Sequence, residues 1–173
     1  MAVQANDRAE VAARIARLED IAGGFSEAAA WVRGADGAWS LMEILSHLLG
    51  DPEETRLAGI HRGLAETTPT LLGEPGETGL SGRRLAMGRW EAVNELAAMV
   101  RTMDELQASL DTDQAERTVR IHWLAGSPLG ETPSVGVWLD VLLSTHLDDH
   151  IAQMEALRTE VKSRDQQIAR ARA

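Results

Sequence analysis

Apolar residues recur at steps of three and four along most of the chain, the period of amphipathic helices. Val11, Ile15, Leu18, Ala22 and Phe25 form the first such stripe. It predicts a helix from about Asn6 to Trp31, capped by Asn6 or Asp7 and ended by Gly34 to Gly37. A second stripe, Leu41, Ile44, Leu45, Leu48 and Leu49, follows Ser40-Leu41-Met42-Glu43. That tetrapeptide is a capping box, in which the Ser40 side chain and Glu43 each satisfy the other's backbone N–H. Trp39 stands just before the cap, where an apolar residue staples the first turn. Pro52 lacks a backbone donor, so a kink is expected there, with Asp51 and Glu54 recapping a helix that runs on to about Ala65.

Residues 66–82 contain two Pro and four Gly, and at 17 residues they exceed an ordinary connection. They read as either a functional lid or a disordered crossover. The third helix is expected from about Arg83 to Leu110, carried by Leu85, Val93, Leu96, Val100 and Met103. Asp111 to Glu116 break the pattern. From Arg117 to Leu124 the period drops to two, with Val119, Ile121 and Trp123 alternating with Thr118, Arg120 and His122. That predicts an extended strip. The last helix is expected to start at Thr132-Pro133 and is apolar around much of its circumference, from Trp138 through Leu143 to Leu157 and Val161. A charged tail follows from about residue 162. Trp90, Trp123 and Trp138 read as core aromatics. Four amphipathic helices with one long connection predict an all-α protein, a four-helix bundle forming a single domain over residues 1–173.

Composition narrows the chemistry. With 17 Lys+Arg against 27 Asp+Glu, the formal charge is −10, which argues against a nucleic-acid partner. No run of ~18 apolar residues can span a membrane, and no secretory signal begins the chain, so the expected location is the cytosol. There is no Cys. Disulfides, thiolate metal sites and a cysteine nucleophile are excluded, and any metal must sit on His, Asp or Glu.

Of five histidines, His146 and His150 lie one helical turn apart on the most apolar helix. Both imidazoles then share a face and can bind one metal ion. His47 lies on the second helix among Ile44, Leu45 and Leu48. Three imidazoles from two helices would meet inside the bundle and leave coordination positions open for a substrate. The competing reading is three half-buried histidines bonded to carbonyls. Asp51, four residues after His47, would share its helix face as a ligand or general base, and Asp148 or Asp149 would orient a ring N–H. His61 reads as exposed, and His122 as a residue at the mouth of the site.

Trp39-Ser40-x-x-Glu43-Ile44-Leu45-x-His47-Leu48-x-x-Asp51, together with Thr145-His146-Leu147-Asp148-Asp149-His150, resembles the paired motifs of the DinB/YfiT-like superfamily. The resemblance covers about residues 10 to 160. It implies an up-down-down-up four-helix bundle, often a homodimer, that binds a divalent metal such as zinc or nickel through His47, His146 and His150. Relatives in that superfamily include S-transferases using bacillithiol or mycothiol and a mycothiol-dependent isomerase. DNA binding is not implied. The leading expectation is therefore a metal-dependent transferase for small-molecule substrates, in which a low-molecular-weight thiol attacks an electrophile. Arg83, Arg84 and Arg120 are candidates for the carboxylates of such a thiol. The alternatives are a metal-dependent hydrolase with Asp51 as base, or a non-catalytic metal- or ligand-binding bundle. Three histidines suit zinc, nickel, iron and copper alike.

Overall fold

The computed structural model describes residues 8–171, so the expected caps at Asn6 and Asp7 lie outside the described residues. Helix α1 spans Arg8–Gly23 and buries Val11, Ile15, Leu18, Ile21 and Ala22. It stops earlier than the pattern suggests, because Gly23-Gly24 cannot sustain it. Only two 3-10 turns, Ala29–Trp31 and Ala35–Gly37, follow before the next helix.

Helix α2 spans Leu41–Leu49, and the Ser40–Glu43 capping box forms as read. Arg33 clamps the Glu43 carboxylate from the preceding loop, making three hydrogen bonds to its two oxygens. Burial alone would raise the Glu43 carboxyl, but Arg33 and the bonds from Ser40 outweigh it and hold it below its ordinary value. Every residue of α2 is buried, so this short helix is the centre of the molecule.

The expected continuation to Ala65 does not occur. Gly50 adopts φ +93°, a left-handed conformation favouring glycine, and a Cβ there would lie 2.8 Å from the Arg56 nitrogen. A separate helix α3, Arg56–Ala65, starts after Thr55, whose hydroxyl accepts the Ala58 N–H. The new cap is thus Thr55, while Asp51 accepts the Glu53 N–H in the turn between the helices. Proline marked the break correctly; the turn at Gly50 makes it complete.

Helix α4, Arg89–Ser109, begins six residues later than expected, after a 3-10 stretch over Gly82–Ala86. Residues Thr112–Glu116 form a one-turn helix, α5, under a capping box of Asp111 and Gln114. The strip after it is extended as far as Ile121, but His122–Leu124 coil into a 3-10 turn rather than continuing it as expected. Val119 and Ile121 donate to the carbonyls of Pro133 and Glu131 on one side, and Arg120 exchanges bonds with Pro69 and Leu71 on the other. Val119 and Ile121 are buried, and Arg120 and His122 face outward.

The last helix is two helices. The first, α6, spans Val135–Leu143 and is capped by Ser134 rather than Thr132, since the Ser134 hydroxyl accepts the Val137 N–H. Ser144 leaves helical geometry at φ −117°, ψ −99°, and α7, Thr145–Ala171, starts afresh. Helices α1 and α2 each pack on both α4 and α7, while α3 and α6 close the other end against α4. The core is one continuous cluster running through these helices. Trp138 belongs to it, whereas Trp90 and Trp123 are 41% and 37% exposed, contrary to the core reading.

Candidate metal centre

His47 lies in the last turn of α2, and His146 and His150 are the second and sixth residues of α7. Because α2 packs directly on α7, the three side chains converge. Their ring centroids are 5.3, 4.8 and 4.8 Å apart, and one nitrogen from each lies within 4.8 Å of the other two. Trp39 covers the group, with its ring parallel to His150 at 6.2 Å and tilted against His47 at 5.0 Å.

The hydrogen bonds set which nitrogens are free. His47 Nδ1 lies 2.6 Å from the Glu77 carbonyl oxygen. A carbonyl can only accept, so Nδ1 carries the proton and Nε2 keeps its lone pair. His150 Nδ1 donates in the same way to the Gln153 side-chain oxygen at 2.9 Å. His146 Nε2 is buried with no hydrogen-bond partner. A buried ring nitrogen left unpaired costs free energy that a bound ion would recover. Burial pushes the His47 imidazole down to about 4, against the Glu77 carbonyl, with the charges of Arg56 and His150 adding to the fall. Burial and the neighbouring His150, Arg56 and His47 push His146 down to about 3. His150 is lowered by burial as well, with Gln153 and Asp149 opposing. All three are neutral near pH 7, the form that ligates metals. The residues present therefore fit a divalent ion, and the histidine set could hold one.

The lid question is answered by what residues 66–82 touch. Thr68 shares a hydroxyl bond with Thr118 at 2.8 Å, and Leu72 N–H donates to Glu54 at 2.7 Å. The Gly73 carbonyl accepts the Trp123 indole N–H at 3.1 Å, and Glu77 holds His47. The segment is pinned across the mouth of the histidine group. Beside His47 it borders a cleft lined by Gly50, Asp51, Arg56, Gly73, Glu74, Glu77 and Gly79.

Asp51 reaches this cleft, although from a turn rather than from the helix face its spacing suggested. Asp148 and Asp149 do not orient the histidines by hydrogen bonds. Asp148 is bonded to Arg14 of α1 through both oxygens, and Gln153 takes the expected role at His150. Arg84 is buried and donates to the carbonyls of Ser46, Gly50, Gly79 and Asp51, fastening α2 to the lid. Arg83 pairs with Glu91 and Glu95 on the surface, and Arg120 lies 3.8 Å from Glu131. His122 bonds Glu131 and is exposed, as is His61. Sequence reasoning missed Arg56, Glu77 and Gln153. Gln153 carried a signal, three residues after a ligand-type histidine on a helix; Glu77 acts through its backbone and carried none.

No helix among the described residues is long and apolar enough to cross a membrane. No family model matches the chain, and no curated protein matches it. Among solved structures the chain is similar to YfiT from Bacillus subtilis, described as a probable metal-dependent hydrolase with an unusual four-helix bundle topology. The likeness has a TM-score of 0.63 at 15% identity and covers 90% of each chain. The fold of this chain is accordingly a four-helix bundle of the kind seen in YfiT.

Proposed function

We propose that this protein is a metal-dependent hydrolase of small-molecule substrates, with a divalent ion held by His47, His146 and His150. The observation that carries this reading is the convergence of three neutral imidazoles, one with a buried nitrogen lacking any partner, beside an open cleft. When bound, the ion would supply Lewis-acid polarisation and acidify a nucleophile beside it. The Glu77 carbonyl and the Gln153 amide hold the His47 and His150 rings in the tautomer with Nε2 unprotonated. Asp51 lines the same cleft and is the residue placed to take the proton that a nucleophilic water gives up. Trp39 packs its ring against His47 and His150 on one side of the group. YfiT's description as a probable metal-dependent hydrolase supports the same reading.

A second reading, S-transfer from a low-molecular-weight thiol, is supported by the motif resemblance and by the absence of Cys, which leaves the sulfur to a cosubstrate. The test is elemental analysis of protein purified without a His-tag, followed by turnover of a panel of aryl esters and anilides. Turnover that needs metal but no thiol, and that falls sharply in Asp51→Asn, is the expected result. Turnover appearing only with added thiol transfers the assignment to the second reading. Failure of the purified protein to retain or take up any divalent ion would overturn both.

A further inference from the structure

A second cleft adjoins the histidine cleft and shares one wall with it. It is a groove open to solvent between Leu71, Leu72, Ile121, Trp123 and Trp138, with Arg56 on the shared wall. Trp123 and Trp138 meet edge to face with ring centroids 6.0 Å apart, so the cleft has an aromatic side. Leu72 and Trp123 at its rim are 46% and 37% exposed, leaving an apolar entrance.

Arg56 is unlike the other arginines that line or border this region. Arg84 is bonded to four carbonyls, and Arg62 is paired with Glu54 and Glu66. Arg56 forms no ion pair among the described residues. Its Nε is buried without a partner, and its one hydrogen bond is a long contact of 3.4 Å from Nη2 to the His47 carbonyl. A half-buried guanidinium whose Nε is buried and unpaired is costly unless a ligand completes it. The carboxylates lining the two clefts do not do so. Glu54, which also lines the cleft, has one oxygen on Arg62 and the other on the Leu72 N–H. Asp51 lies near enough to act on Arg56 through its charge, yet makes no ion pair with it. Arg56 also opens α3, so the positive end of that helix reinforces its field. Arg56 lines the same cleft as His47, which puts a ligand held there next to the histidine group.

We propose that Arg56 anchors the carboxylate of a substrate, and that the centre acts on acids carrying an apolar or aromatic body seated between Leu71, Leu72 and Trp123. A carboxylate matches the planar guanidinium fork, and the apolar walls match the remainder of such a molecule. This substrate class rests on the reading of the histidine centre as catalytic, but the binding site itself can be tested without metal.

The experiment is calorimetric titration of 4-phenylbutyrate, and of 4-phenylbutyramide as its neutral counterpart, into metal-free protein. Without metal, a direct carboxylate–ion contact cannot contribute. Wild-type protein is expected to bind the acid at least ~10-fold more tightly than the amide, the usual size of a charge-assisted hydrogen bond, and Arg56→Gln is expected to erase that preference. Equal affinity for acid and amide in wild type, or an undiminished preference in Arg56→Gln, overturns the proposal. Should Arg56→Gln fail to fold, Trp123→Ala at the exposed rim decides. It is expected to weaken 4-phenylbutyrate several-fold, and unchanged binding overturns the cleft assignment. Metal uptake by the same protein is measured separately. Acid binding without metal uptake removes the hydrolase reading and leaves this site standing, and metal uptake without acid preference does the reverse.

Discussion

The seam between α1 and α7 and the histidine end of the same bundle treat polar groups in opposite ways. Along the seam, Arg14 is bonded to Asp148, Arg17 to Glu155 and Arg158 to Asp20, all near solvent. Each charge has a partner on the facing helix, and these exposed bonds contribute little to stability, although Arg14 also keeps a buried Nη1 with no hydrogen bond. At the histidine end the polar groups are deeper and fewer are matched. His146 Nε2 and Arg56 Nε are buried without partners, and the three imidazoles face one another rather than any acid. A folded chain tolerates such groups only where a ligand or ion completes them or where other packing offsets their cost. The seam is therefore a surface that holds two helices in register, and the histidine end gathers unpaired groups around one cleft, as the proposed site requires. Gln107, also buried with its amide unpaired on α4, has no account in this contrast.

The contrast can be broken at the histidine end first. His146→Ala removes the nitrogen that has no other partner. Metal affinity is expected to fall by more than the ~100-fold that loss of an orienting partner alone can cause, read by competition with a chromogenic chelator. Retained affinity would mean that the metal centre is not these three histidines.

Proton linkage is the next lever. The folded-state values of His47 and His146 lie below the ordinary 6.5, at about 4 and about 3. Between those limits the unfolded chain binds more protons than the folded one, so stability rises with pH. For metal-free protein, stability is expected to be full above about pH 6.5 and to drain away as pH falls toward 4 and then 3. Urea midpoints across that range measure it. His47→Gln should show a shallower fall, and identical slopes would remove His47 from the explanation.

Gln153→Ala sharpens the comparison further. The change leaves His150 in place but frees its ring, with an expected loss of ~10-fold in metal affinity and little change in melting temperature. At the seam, Arg14→Met is expected to cost under ~1 kcal/mol by chemical denaturation. A cost of several kcal/mol there would mean that the seam, too, depends on buried charge.

Much of this could be read along the chain because it is local. The Ser40–Glu43 box, the H-x-x-x-H pair and the alternation of Val119 and Ile121 are patterns in which neighbours in sequence are neighbours in space. Helix boundaries were harder. The break at Gly50 and the step at Ser144 both end a helix inside an apolar run, where hydrophobic period continues while the backbone does not.

What the sequence by itself determined is the helical period, the capping of α2, the exclusion of cysteine ligands and a cysteine nucleophile, and the three histidines as a candidate ligand set. The packing of α2 on α7 decided that those histidines meet, and the path of residues 66–82 decided that a backbone carbonyl fixes His47. Tertiary structure alone also separated Arg56 from Arg83, Arg84 and Arg120, which are equally basic in the sequence. The physical reason is that a guanidinium's role depends on which acceptors surround it. Arg84 meets carbonyls, Arg83 meets surface glutamates, and Arg56 is half-buried beside the histidines with its Nε still unpaired.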